Sequence, residues 1–174
     1  MKKLLTFLIL FVFTQLSFAE GLSWNQHQGP FAELSAGSNL YYLGVISSDG
    51  KVAGSGMRGM SLGGTLGYNY TTYFGLEGGL LLALVDLLNK GNLIYAPYAS
   101  TRFTLPMGNR FSFLAKLGLM LPVLPRNGAI ILPFTGIGAT YALNEKLDLG
   151  LQYQGAIYGI AGVGTLGLSL TYHF

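Results

Sequence analysis

Of the 174 residues, 51% are hydrophobic and only 10% are charged, against roughly 25% charged in an ordinary soluble domain. This composition excludes disorder, and the 26 glycines argue against a helical soluble domain, where each interior glycine costs about 0.5–1 kcal/mol. The net charge of +3 comes without a Lys/Arg cluster, which argues against a nucleic-acid partner, and zero cysteines exclude disulfide staples and thiol chemistry.

The chain opens with Met1, Lys2 and Lys3, an apolar run over residues 4–13, and a small-x-small ending at Ser17, Phe18 and Ala19. A basic start, a short apolar stretch and a small-residue site form a secretory signal, and the run falls short of the ~20 residues of a spanning helix. Cleavage is expected after Ala19. Residues 1–19 are then a signal peptide, residues 20–28 a short periplasmic segment, and residues 29–174 the folded domain.

No later stretch approaches ~20 consecutive apolar residues; the nearest, residues 80–88, is interrupted by Asp86. What recurs is period-two alternation in segments of about ten residues separated by turns, the pattern of transmembrane β-strands. A first strand is expected near residues 31–43, where the alternation is weakest. In the second, Leu62, Leu66, Tyr68 and Tyr70 alternate with Ser61, Gly63, Thr65, Gly67 and Asn69; in the third, Phe74, Leu76, Leu80 and Leu82 alternate with Gly75, Glu77 and Gly79. Strands four (residues 93–104) and six (residues 130–143) resemble each other around Pro97 and Pro133, and a proline in a closed sheet predicts a bulge near the outer rim.

Strand five sets Phe111, Phe113, Ala115, Leu117, Leu119 and Leu121 against Ser112, Leu114, Lys116, Gly118 and Met120. Strand seven sets Leu147, Leu149, Leu151, Tyr153 and Ile157 against Asp148, Gly150, Gln152, Gln154 and Ala156. The last is the clearest, with Leu166, Leu168, Leu170, Tyr172 and Phe174 on one face and Thr165, Gly167, Ser169, Thr171 and His173 on the other. One face suits lipid and the other a narrow polar lumen.

The expected fold is all-β, an eight-stranded antiparallel up-and-down transmembrane barrel. A bilayer core offers no water to unpaired backbone groups, so only a closed sheet can cross it. Short turns fall near residues 71–72, 106–109 and 144–146, on the expected periplasmic side. Of the outer connections only residues 47–56 are long enough to be called a loop. Tyr70, Tyr73, Phe74, Phe103, Phe111, Tyr141, Tyr153, Tyr172 and Phe174 form an expected interfacial aromatic girdle.

By parity Glu33, Glu77, Arg102, Lys116 and Gln152 point inward in one layer. Two acids and two bases in a partly dry interior must pair, because isolated buried charges cost far more than paired ones. A network that plugs or gates the barrel is therefore expected.

At the level of pattern the whole domain resembles the small outer-membrane β-barrel family that includes the transmembrane domain of outer membrane protein A. The resemblance rests on Gly29-Pro30-Phe31-Ala32-Glu33-Leu34-Ser35-Ala36-Gly37, on Tyr73-Phe74-Gly75-Leu76-Glu77-Gly78-Gly79 and on Leu132-Pro133-Phe134-Thr135-Gly136-Ile137-Gly138-Ala139. It implies an inner salt-bridge network, and it implies that Leu168, Leu170, Tyr172 and Phe174 are the signal read by the barrel assembly machinery. The chain departs from that protein's pattern by stopping at Phe174, so no peptidoglycan-binding domain is expected.

Catalysis is not expected. Lipid-modifying serine chemistry needs a Ser–His–acid group in hydrogen-bond reach; the only histidines are His27, before the first strand, and His173, beside the expected periplasmic rim, and no His-x-Ser pair sits on an outward-facing surface. Two histidines so far apart in sequence, without cysteine, also give no expected metal site, and no cofactor is expected. Residues 162–167 match a G-x-G-x-x-G string but open a strand, and the sequon at Asn69 faces the lumen; both are chance matches. The leading expectation is a monomeric structural protein of the bacterial outer membrane, whose partners are lipid, lipopolysaccharide and the assembly machinery. The alternatives are a narrow gated ion channel and a surface-binding protein acting through its outer loops.

Overall fold

A computed structural model describes residues 24–46, 52–87, 90–124, 128–158 and 161–174. The expected cleavage site after Ala19 lies outside them. Eight strands build the wall: β1 Gly29–Ile46, β2 Val52–Asn69, β3 Phe74–Leu87, β4 Lys90–Met107, β5 Phe111–Met120, β6 Leu132–Ala142, β7 Leu147–Tyr158 and β8 Ala161–His173. Each pairs antiparallel with its sequence neighbours, and β1 pairs with β8 from Phe31↔His173 to Leu43↔Ala161, which closes the sheet. The two-residue strands Val123–Leu124 and Gly128–Ala129 extend the β5–β6 connection. The shortest wall strand, β5, has 10 residues, enough for a tilted strand to cross the hydrocarbon core.

The alternation in the sequence becomes two faces. From Phe111 to Met120, β5 runs exposed-buried with scarcely a break, and β8 does the same from Thr165 to Phe174. On the outside Leu34 stays 70%, Leu66 69% and Ile137 65% exposed. An apolar surface that wraps the whole wall is far more than a soluble monomer tolerates and is what a lipid-facing surface requires. Among the described residues no helix is long and apolar enough to cross a membrane; the strands do the crossing.

The three short turns gather at one end, which also carries Gly29 and Phe174, and it is termed the turn end. Thr71 Oγ1 accepts from the amides of Tyr73 (3.2 Å) and Phe74 (3.0 Å), Gly108 takes a φ of +76° in the β4–β5 turn, and Asn144 Oδ1 accepts from the amide of Lys146 (2.8 Å). Tyr70, Tyr73, Phe103, Phe111, Tyr141, Tyr172 and Phe174 ring this end with exposed faces, and Phe74 packs against Phe103 at 5.5 Å between centroids. Tyr153 does not join them: it pairs with Ile137 and Leu166, well inside the wall.

Other expectations are corrected. Pro97 and Pro133 make no bulge; Pro97 faces Leu80 and Pro133 faces Leu119 in unbroken register. Both side chains point outward, and the Pro97 carbonyl accepts from the amide of Leu121 (2.8 Å), just past the end of β5. The register shifts instead fall between β1 and β2: one where Arg58 and Gly59 oppose Asn39 between the pairs Ser38↔Met60 and Leu40↔Met57, and another between the pairs Tyr42↔Ser55 and Val45↔Ala53. Gly59 holds a φ of +110°, and a Cβ there would collide with the Leu84 carbonyl oxygen, so only glycine fits. The expected outer loop over residues 47–56 is shorter than its range implied, because Ile46 pairs with Val52 and residues 52–56 belong to β2.

Phe31 shows how the interior is fitted. It points inward, is 1% exposed, and lies against the position a Cβ on Gly67 would occupy. Gly67→Leu should therefore force Phe31 off its seat and destabilise the barrel by about 1–3 kcal/mol. An unchanged urea midpoint for this variant, read by the gel-mobility difference between folded and unfolded forms, would refute that role for Gly67.

Candidate functional site: the barrel lumen

Among the described residues, inward side chains gather in three layers along the barrel axis. The middle layer contains Glu33 (β1), Glu77 (β3), Arg102 (β4), Lys116 (β5) and Gln152 (β7), all buried. Arg102 and Lys116 are direct cross-strand partners, an arrangement that like charges normally make unfavourable. Both acids offset it. Glu33, half the circumference away on β1, reaches across the lumen and accepts four hydrogen bonds: Oε1 from Lys116 Nζ (3.2 Å) and Gln152 Nε2 (2.8 Å), Oε2 from Arg102 Nη1 (3.1 Å) and Thr171 Oγ1 (3.1 Å). Glu77 Oε1 lies 3.0 Å from Lys116 Nζ and accepts from Ser100 Oγ at 2.9 Å.

The four charges thus alternate in a ring, acid to base to acid to base, and sum to zero. The ring is not uniform. Glu77 Oε2 stands 3.9 Å from Arg102 Nη1 without a hydrogen bond, and Arg102 Nε has no partner among the described residues. The Arg102 guanidinium instead lies over the Phe31 ring, 4.8 Å from its centroid. Glu33 is the fully satisfied member and so the anchor of the layer.

Toward the other end the lumen holds an apolar cluster beside buried polar residues, which the expectation of a polar interior missed. Leu81, Ala96, Tyr98, Met120, Phe134 and Ala156 form a buried cluster. Tyr98 and Phe134 stack across it, with ring centroids 4.5 Å apart and planes 23° from parallel, and the Tyr98 hydroxyl is hydrogen-bonded to Thr65 Oγ1. The clue in the sequence was that Leu81 and Ala83, Ile94 and Ala96, and Met120 occupy inward parity. Asn39, fully buried, also escaped notice; its Nδ2 donates to the carbonyls of Met60 (3.1 Å) and Leu84 (3.1 Å), and its Oδ1 accepts from Thr165 (3.2 Å), so that the side chain replaces ladder bonds lost at the bulge.

At the turn end residues 24–28 fold back over the mouth. The Trp24 amide donates to the Asn109 carbonyl (3.0 Å), and Arg110 lies over the Trp24 ring at 3.9 Å. Asn25 Nδ2 faces the carbonyls of Gly108 (3.2 Å) and Phe111 (2.6 Å) and Ser112 Oγ (3.1 Å). His27 then stacks on His173, centroids 3.5 Å apart and planes 11° from parallel, with both Nε2 atoms on the Asp148 carboxylate at 3.2 and 3.1 Å. The expectation that the two histidines stand apart is therefore corrected: closing β1 on β8 brings the two ends of the chain together. All three groups face inward, away from lipid, so they do not form the lipid-facing hydrolytic group considered in the sequence. Asn69, the sequon residue, also faces the lumen.

Leu168, Leu170 and Tyr172 point outward along β8, and Phe174 follows them, 69% exposed.

No family model and no curated protein sequence matches the chain. Several solved structures share its architecture. Neisserial surface protein A is 17% identical, with a TM-score of 0.61 over 84% of this chain and 97% of that one. Ail, the attachment invasion locus protein of Yersinia pestis, is 11% identical, with a TM-score of 0.59 over 85% of this chain and 99% of that one. The N-terminal β-barrel domain of Pseudomonas aeruginosa OprF is 14% identical, with a TM-score of 0.56 over 86% of this chain and 99% of that one. At such identities the likeness is one of fold. It meets the physical argument from the closed wall and its apolar outer face, and on both grounds the chain has the fold of a small transmembrane β-barrel, the fold of these outer-membrane proteins.

Proposed function

We propose that this protein is a structural component of the bacterial outer membrane, a plugged barrel without catalytic turnover. The observation that carries the reading is the buried ring around Glu33, whose four donors come from four different strands and tie them together across the lumen. The stacked Tyr98 and Phe134 above it and residues 24–28 below it support the same reading. In this account residues 1–19 direct export and are removed, the short turns face the periplasm, and the outward Leu168, Leu170, Tyr172 and Phe174 are read by the assembly machinery. The finished monomer sits among lipid and lipopolysaccharide.

The test is planar-bilayer conductance of detergent-folded protein, with heat-dependent gel mobility confirming that the sample is folded. A folded sample should give no discrete current steps. One observation favours a gated channel as the second reading: the loosely held Glu77–Arg102 side of the ring could exchange partners. Discrete steps that change on Lys116→Glu would replace the structural reading with that one.

A further inference from the structure

The histidine–carboxylate cluster at the turn end is more than a plug needs. His27, Asp148 and His173 each offer one ligand atom, and these atoms lie within 4.8 Å of one another. We propose that they bind a divalent transition-metal cation, Zn²⁺ or Cu²⁺ in character, that staples the N-terminal segment to the closing strands.

The donor set selects the metal class. Two imidazole nitrogens and one carboxylate suit Zn²⁺, Cu²⁺ and Ni²⁺, whereas Mg²⁺ and Ca²⁺ prefer oxygen ligands throughout. Without a metal, the two Nε2 positions share the Asp148 carboxylate, one on each oxygen; a cation would take the place of the donated protons. Zinc bonds to nitrogen and oxygen of about 2.0–2.2 Å require the three groups to draw together, and stacked rings aim their lone pairs side by side rather than at a point. His27 can make that adjustment, because it precedes β1 and belongs to no strand, while Asp148 and His173 are fixed near the ends of β7 and β8.

The surroundings also fit. Next to the cluster is a cavity of about 10 Å³, lined by Asn25, Ser112 and Thr140 as well as the three ligands, about the space that one water needs as a further ligand. Arg102 borders the same cavity, but its guanidinium lies 3.1 Å from Glu33 and 3.9 Å from Glu77, so its charge is offset. His27 keeps 11% side-chain exposure, which gives an entry path from the turn end. The three ligands come from before β1, from β7 and from β8, so a bound ion would span the β8–β1 seam where the barrel closes.

The experiment is calorimetric titration of Zn²⁺ into the folded, untagged protein in detergent, with Cu²⁺ electron paramagnetic resonance on the same sample. The expected result is one equivalent bound, saturating below about 100 µM, two imidazole nitrogens on Cu²⁺, and a higher temperature for the gel-mobility transition when Zn²⁺ is present. His27→Ala should weaken binding by at least the roughly 10–100-fold that follows loss of an outer-shell partner and leave one nitrogen on Cu²⁺. His27 lies outside the sheet, so this variant should keep its heat-dependent mobility; His173→Gln serves as the second variant. No saturable binding by a folded sample, or binding of equal strength in both variants, would overturn the proposal.

Discussion

Glu33→Gln should lower the unfolding free energy of the barrel by about 3–5 kcal/mol, the range found when one member of a buried ion pair is removed. Among the described residues Glu33 is the only group that takes hydrogen bonds from both Arg102 and Lys116, and it also holds Gln152 and Thr171. With it neutral, two buried cations share the single carboxylate of Glu77, and Arg102 is 3.9 Å from that carboxylate without a hydrogen bond. The loss comes from stranding a charge more than from losing attraction, so removing a base at the same time should recover part of it. The double variant Glu33→Gln, Lys116→Met restores neutrality and should be less destabilised than the two single changes added together, by about 0.5–3 kcal/mol. Urea titration read by gel mobility measures all three, with fluorescence of Trp24, the one tryptophan of the chain, as a second signal. A loss below about 1 kcal/mol for the single variant would mean that water already solvates the ring, and a plugged lumen would then be untenable.

Phe134→Ala should cost about 3–5 kcal/mol, the usual range for removing a buried aromatic ring. Phe134 is fully buried and stacks on Tyr98 within the cluster that also holds Leu81, Ala96, Met120 and Ala156. Its neighbours cannot close the gap cheaply, because they hang from four different strands of a wall whose curvature is set by strand number and stagger. In the proposed plugged barrel the change should leave the protein non-conducting, since the charge ring would block the lumen independently. Current steps from Phe134→Ala would show instead that the aromatic layer is the main barrier. A full-strength barrel after this substitution would show that the layer is not packed as described.

The two sets of predictions separate because the layers of the lumen were not equally legible in the chain. Which way each wall residue points was readable, since a β-strand alternates sides by local backbone geometry alone. That placed Glu33, Glu77, Arg102, Lys116 and Gln152 on the inner face and Leu168, Leu170 and Tyr172 on the outer, and the turns at Thr71, Gly108 and Asn144 followed from equally local chemistry. Alternation is mute where both faces are apolar. Leu81 and Leu82 or Leu119 and Met120 carry no contrast, so the hydrophobic layer around Phe134 did not stand out. Bulges were sought at the prolines, which lack a donor, whereas the register shifts between β1 and β2, at one place beside Gly59, where a positive φ and a close carbonyl leave room for no side chain.

What the sequence determined by itself was therefore the strand pattern, its two faces and the need for closure, because each follows from contacts between near neighbours and from the absence of water in a bilayer. Only the tertiary structure decided which inward residues meet. Glu33 finds Lys116 across the lumen, and His27 finds His173 across the seam, because the stagger of the strands sets the height of every residue on the wall. That stagger is a property of the closed sheet as a whole, and no single segment of the chain encodes it.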